Sequence, residues 1–239
     1  LETPCLLVSR PPLGPAERLE PGRRFVSHRT FELLLDSSER ERNGLALRRA
    51  MRTLAPWCTE NPLILHARSP APADVRLAID QAAETGFELV LLSFGSGFDY
   101  ERQDAAYTAE IRALAEYAHA RGVGLGGYSV LASRRISDEH DVIDPETGAP
   151  GHAIFGNSPC LESRWGHEYF QKLVDFTLAT GLDALEHDGN YPGDVCASST
   201  HPGHAGLADS QWKQWRRITG FYAWARARGM YLNVPDLYF

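Results

Sequence analysis

From Asn61 onward the chain repeats one phrase: a short apolar run, a turn of small and polar residues, a helix-length amphipathic segment and then a glycine. The apolar runs lie at 63–66 (LILH), 88–94 (ELVLLSF), 123–130 (VGLGGYSV), 184–187 (ALEH) and 230–234 (MYLNV). Between them the spacing of apolar residues predicts helices over 72–85, 105–121, 166–180 and 209–228, each closing near Gly86, Gly122, Gly181 or Gly229. Glycine is favoured just past a helix C-terminus, where the backbone turns left-handed. Continuous apolar strands alternating with helices imply a parallel sheet with both faces covered. No glycine-rich phosphate fingerprint follows the first strand, and polar residues cluster after the strand ends; both features favour a barrel over a doubly wound sheet.

The expected fold class is therefore α/β, a partial TIM (β/α)8 barrel with about five βα units, preceded by a β-rich linker segment. In that segment, residues 22–36 read as a strand or a pair of short strands, followed by a polar stretch (SSERER) and an amphipathic helix near 42–54. Five units do not close an eight-stranded barrel, which typically needs about 250 residues. The chain also lacks an initiator Met and stops at LNVPDLYF, just after a strand. The expectation is an excerpt of a longer enzyme, with a smaller complete α/β protein as the alternative.

Composition narrows the partners. A formal net charge of -7 leaves no basic footprint for a polyanion, so no nucleic-acid partner is expected. No window approaches 18 consecutive apolar residues, and none is expected to span a membrane. Cys5, Cys58, Cys160 and Cys196 are scattered without a CxxC pair, which argues against a zinc ribbon or a thioredoxin-like motif. A Cys160–Cys196 bridge and buried thiols both stay open, with thiols preferred.

Barrel chemistry sits at the carboxyl ends of strands. The residues found there are His66, Arg68, the 93–100 stretch, Tyr128, Ser129, His187, Asp188 and Asp236. Asp188 is the strongest: the run LEHDGNYPGD delivers a carboxylate from a buried strand into a Gly-containing turn. There it loses hydration and can act as nucleophile or base, or else serve only as the turn-forming member of an Asp-Gly pair. The following loop is dense in polar and aromatic side chains, so Tyr191, Asp194, His201 and His204 read either as substrate contacts or as internal ties of a packed loop. Phe94, Phe98, Tyr100 and Tyr128 read as pocket walls or as core. The polar, turn-rich insertion at 136–163 reads as a lid or as a surface excursion.

Three stretches carry a resemblance. SRWGHEYFQKLVDFTLATGLDALEHDGNY resembles the helix and fourth strand of clan D glycoside hydrolases, the alpha-galactosidase (melibiase) group and especially family 36. GFELVLLSFGSGFDYE and ALAEYAHARGVGLGGYSV resemble that family's second strand with its loop and its next helix–strand unit. The resemblance covers roughly residues 61–239 as the first part of the catalytic barrel. It makes residues 1–60 the end of an N-terminal β-sandwich domain plus a linker helix.

The resemblance implies retaining hydrolysis of an O-glycosidic bond by an exo-acting, alpha-galactosidase-like enzyme, with Asp188 as nucleophile. The partner would be an oligosaccharide or glycoconjugate, with no cofactor and no metal required for the chemistry. The acid/base carboxylate would come from a later strand, outside this chain. His66, Arg68, Phe94, Tyr128, Glu186, His187, Tyr191, Asp194, His201, His204 and Asp236 become substrate-binding candidates, Asp236 with a turn role after Pro235 as its alternative. Two departures bear on specificity. Ser93-Phe94-Gly95-Ser96 replaces the Asp-Asp-Gly-Trp stretch that grips galactose hydroxyls, and Glu186 replaces the lysine two residues before the nucleophile.

Two other function classes remain. His66, His187, Asp188, His201 and His204 could ligate a divalent metal in a barrel hydrolase. Against this, the position of a second His after the first strand is Arg68, and His201-Pro-Gly-His204 is too short and loop-bound for a helical zinc motif. The other class is a non-catalytic carbohydrate-binding barrel, favoured by the missing Asp pair and disfavoured by Asp188.

Overall fold

The computed structural model describes residues 8–11, 13–56, 61–131, 133–151, 153, 156–189 and 193–234. They fall into two compact units, one of Leu1–Arg10 with Arg18–Pro62, the other of Pro11–Glu17 with Leu63–Phe239.

In the first unit, the predicted helix is α1 (Arg40–Leu54). The strand reading of residues 22–36 is not upheld, since the segment forms no strand and joins no sheet. A strand needs a paired neighbour to satisfy its backbone; here the apolar side chains face solvent, Leu34 being 90% exposed and Phe31 66%.

The second unit carries the repeating phrase: β1 (Ile64–Ala67), α2 (Pro72–Thr85), β2 (Leu89–Leu92), α3 (Ala105–His119), β3 (Gly124–Val130), α4 (Arg164–Thr180), β4 (Ala184–Asp188), α5 (Leu207–Ala227) and β5 (Tyr231–Asn233). The helix ends have local causes. Pro72 opens α2, the Asp104 carboxylate accepts from Tyr107 N at the start of α3, and Ser163 Oγ accepts from Gly166 N at the start of α4. Gly86 and Gly181 close α2 and α4 in the left-handed region, at φ 82° and 74°.

The strands form one parallel sheet in the order β1-β2-β3-β4-β5. A doubly wound sheet reverses its strand order; this one never does, as expected of an arc of barrel wall. The two faces are unequal. Val90, Leu92, Leu125 and Leu185 point outward into a large core shared with Ile79, Ile111, Leu114, Leu173, Phe176 and Ile218 of the helices. Leu89, Leu91 and Ala184, flanked by Ile64 and Tyr231, make a smaller cluster on the inner face.

The glycines of β3 follow from this packing. A Cβ at Gly127 would overlap the Phe98 ring, and one at Gly126 would lie 2.7 Å from Ala184 Cβ. The insertion at 136–163 is tied down by antiparallel bridges at Asp141–Pro159 and Ile143–Pro150 and by Ala197 N donating to Ile143 O at 2.8 Å. It packs onto the connection between β4 and α5.

Candidate active site

Side chains alternate along a strand, so Ala184, Glu186 and Asp188 share one face of β4 and Leu185 and His187 the other. Because Ala184 belongs to the inner cluster, Glu186 and Asp188 look into the barrel. Tyr128 lies beside Glu186 in register and donates its hydroxyl to Asp188 Oδ2 at 2.5 Å. Asp188 is the last residue of β4, half-buried, with its backbone carbonyl fixed by Leu131 N at 2.6 Å. One carboxylate oxygen is thus oriented by a phenol at the mouth of the strands.

Glu186 sits deeper. Its side chain is 14% exposed, and Oε2 is buried with no hydrogen-bond partner among the described residues. His66 Nδ1 approaches that oxygen at 3.9 Å from β1. Burial pushes the Glu186 carboxyl above the usual glutamate range, opposed by His66 and by a hydrogen bond from Asn233 and reinforced by the Asp188 charge.

Phe94, just beyond β2, is 66% exposed and meets the Tyr128 ring edge-on at 5.4 Å. These two rings border a cavity of about 300 Å³ that also touches Ser93, Glu101 and Arg134. Arg68 is exposed, with its guanidinium beside Gly95. Ser96, in the loop after β2, is buried and accepts from Phe98 N, so it serves its own loop. The structure therefore gathers His66, Glu186, Asp188 and Tyr128 on one face with Phe94 against Tyr128, and puts Arg68 at the end of the neighbouring β1.

Other expectations need correction. His187 cannot touch a substrate held by Asp188, because it faces outward, fully buried, between the hydroxyls of Tyr169 and Tyr222 at 2.9 Å each. Burial lowers its pKa to about 3, so it is a neutral core histidine. His201 and His204 are also buried and turn to Cys196 and Cys160 Sγ at 3.4 Å each, so neither offers a nitrogen to a sugar. Asp194 is buried, its main-chain carbonyl accepting from Gln214 Nε2 at 2.6 Å. Phe98 and Tyr100 pack edge-on against each other and against Phe176, as core more than pocket wall. Tyr191 and Asp236 lie outside the described residues.

The five-residue metal set drawn from His66, His187, Asp188, His201 and His204 is not assembled. Among the described residues, the metal-capable group is instead Cys160, Cys196, His201 and His204. Both cysteines are free thiols and buried, as preferred from the sequence.

No protein-family model matches the chain, and no curated protein matches it. Solved structures do match. The alpha-galactosidase from Lactobacillus brevis aligns with a TM-score of 0.56 and 14% identity over 79% of this chain and 30% of that one. The GH36 alpha-galactosidase from Geobacillus stearothermophilus, in complex with stachyose, aligns at 0.55 and 12% identity over 80% of this chain and 30% of that one. An alpha-N-acetylgalactosaminidase from Bifidobacterium bifidum, in complex with GalNAc, aligns at 0.50 and 15% identity over 78% and 39%. The chain thus spans between 30% and 39% of the length of these structures. The arc of five βα units has the fold of part of a (β/α)8 barrel. Among such barrels, the similarity is to GH36 alpha-galactosidases and related glycosidases, as a likeness of fold.

Proposed function

We propose that this chain is the first part of the catalytic barrel of a retaining O-glycosidase, an exo-acting enzyme of the alpha-galactosidase kind, with Asp188 as its nucleophile. The observation that carries the reading is the placement of Asp188 at the carboxyl end of β4, on the inner face, with Oδ2 held by the Tyr128 hydroxyl. With Oδ2 engaged, Oδ1 is the oxygen left to attack an anomeric carbon. The fold similarity to sugar-bound glycosidases supports a carbohydrate partner.

In the reaction, the bond from Oδ1 to the anomeric carbon forms as the bond to the leaving oxygen breaks, and a second carboxyl protonates that oxygen. The same group then removes a proton from the water that releases the sugar. Two carboxyls about 5–5.5 Å apart perform this double displacement, and the second is assigned to a part of the barrel beyond this chain. Residues 1–60 are assigned to the end of a preceding β-sandwich domain with its linker helix, and residues 61–239 to the barrel.

Sugar recognition should differ from that of a galactose-gripping acidic pair. Where such a pair would stand, the chain presents the exposed Phe94 ring against Tyr128, a wall suited to the apolar face of a sugar. The test is hydrolysis of a panel of aryl α- and β-glycosides by the full-length protein beside its Asp188→Asn variant. Turnover of one glycoside, lost at least 1,000-fold (roughly 4 kcal/mol) in the variant, is expected. Activity unchanged by the substitution would remove Asp188 as nucleophile, and sugar binding without turnover would describe a non-catalytic carbohydrate-binding barrel.

A further inference from the structure

Two thiols and two imidazoles meet in a buried cluster between the long connections that leave β3 and β4. Cys160 lies three residues before the Ser163 cap of α4, near the end of the 136–163 insertion, whereas Cys196, His201 and His204 belong to the connection from β4 to α5. Their donor atoms lie within 4.8 Å of one another, and all four residues are buried. Cys160 Sγ is 3.4 Å from His204 Nε2, and Cys196 Sγ is 3.4 Å from His201 Nδ1. A tetrahedral zinc centre with Zn–S near 2.3 Å and Zn–N near 2.0–2.1 Å has sulfur-to-nitrogen edges of about 3.5 Å.

The surroundings fit a metal centre. His201 Nε2 lies 2.9 Å from the Glu139 carbonyl and donates its proton there, which leaves Nδ1 bare and aimed at the cluster. Ile143 N–H points at Cys196 Sγ from 3.4 Å, the kind of donor that supports a thiolate ligand. His204 Nδ1 is buried without a hydrogen-bond partner among the described residues, so a network through that nitrogen does not account for the ring's position. Val142, Ile143 and Ala153 pack around the sulfurs and exclude water.

We propose that Cys160, Cys196, His201 and His204 form a four-coordinate zinc site that fastens the β3–α4 insertion to the β4–α5 connection. Two soft thiolates and two imidazoles select zinc over oxygen-seeking cations, and the two negative sulfurs cancel its charge in a buried place. Binding displaces the two thiol protons to solvent. Four protein ligands leave no open position, so the ion is structural. It sits on the connection that leaves the Asp188 strand and does not enter the chemistry. This inference does not rest on the glycosidase reading.

The test is metal analysis of the full-length protein, purified without chelator, followed by replacement of the bound ion with cobalt(II). About one zinc per chain is expected, with intense visible bands of tetrahedral cobalt and a sulfur-to-cobalt charge-transfer band in the near ultraviolet. Cys160→Ser with Cys196→Ser should lose the metal and both signatures, and Cys5→Ser with Cys58→Ser should keep them. Should the first pair fail to fold, a thiol-capping mercurial added to wild type should release the zinc in step with modification of Cys160 and Cys196. No zinc and no cobalt spectrum after reconstitution, a Cys160–Cys196 disulfide in the peptide masses, or metal retained in the Cys160/Cys196 variant would overturn the proposal.

Discussion

Glu186 occupies the inner-face position two residues before Asp188, and its carboxyl is buried with Oε2 unbonded among the described residues. In the unfolded chain it titrates near the ordinary value of 4.5; in the folded chain burial raises that value. Between the two, the folded state binds more protons than the unfolded state, so stability falls as pH rises through that window and the full penalty remains above it. Glu186→Gln should therefore raise the melting temperature relative to wild type at pH 7, and the gap should shrink as the pH is lowered through 4.5. Thermal melts of both proteins across that range check the sign, and a gap independent of pH would contradict it. Asp188 stood out in the sequence as a carboxylate ending an apolar run before glycine, with the turn role of an Asp-Gly pair as its alternative, and the fold sets it on the inner face at the end of β4. The sidedness of His187 follows from the same two-residue period, which sets it opposite Asp188. The pairing of Cys160 with His204, 44 positions apart, left no local pattern, because a helix and a strand intervene between the ligands.

Elements set the direction in which each of these side chains points. Strand β3 holds three glycines in seven residues, a composition that weakens an isolated strand, yet it is the middle of the sheet. Contact explains the choice: Phe98 covers the outer face of Gly127, and Ala184 and Leu91 close on Gly126. Gly127→Ala should cost about 1–3 kcal/mol by overpacking, read as a lower urea midpoint with an unchanged slope. A stability equal to wild type would mean that the Phe98 ring yields at no cost. His187 is an element-level tie as well, joining β4 to Tyr169 of α4 and Tyr222 of α5. Helix positions were readable because their periodicity and terminal glycines agree with the packing, and α2 spans 72–85 as expected. Residues 22–36 misled because their short apolar and aromatic runs (Phe25-Val26, Phe31, Leu33-Leu34-Leu35) suit a strand, but strand formation depends on a neighbour that local sequence does not specify.

Across the whole molecule, the order of five parallel strands, with each neighbour in sequence a neighbour in space, makes the barrel wall. The carboxyl ends of those strands collect the polar residues. The acidic balance, with 31 Asp and Glu against 24 Lys and Arg, suits an uncharged substrate better than a polyanion. On the proposed reading Ser93 and Phe94 stand where an acidic pair would grip galactose, so specificity would fall to shape and aromatic contact, and the motif names no sugar. The most direct test of the account is covalent trapping of the full-length protein. It would be incubated with galacto- and gluco-configured cyclophellitol-type aziridines, which alkylate the nucleophile of a retaining glycosidase, and digested for peptide mass analysis. A label on the Asp188 carboxylate, absent from Asp188→Asn, is expected. A label on another carboxylate, or turnover of an aryl glycoside with inversion at the anomeric carbon, would contradict it.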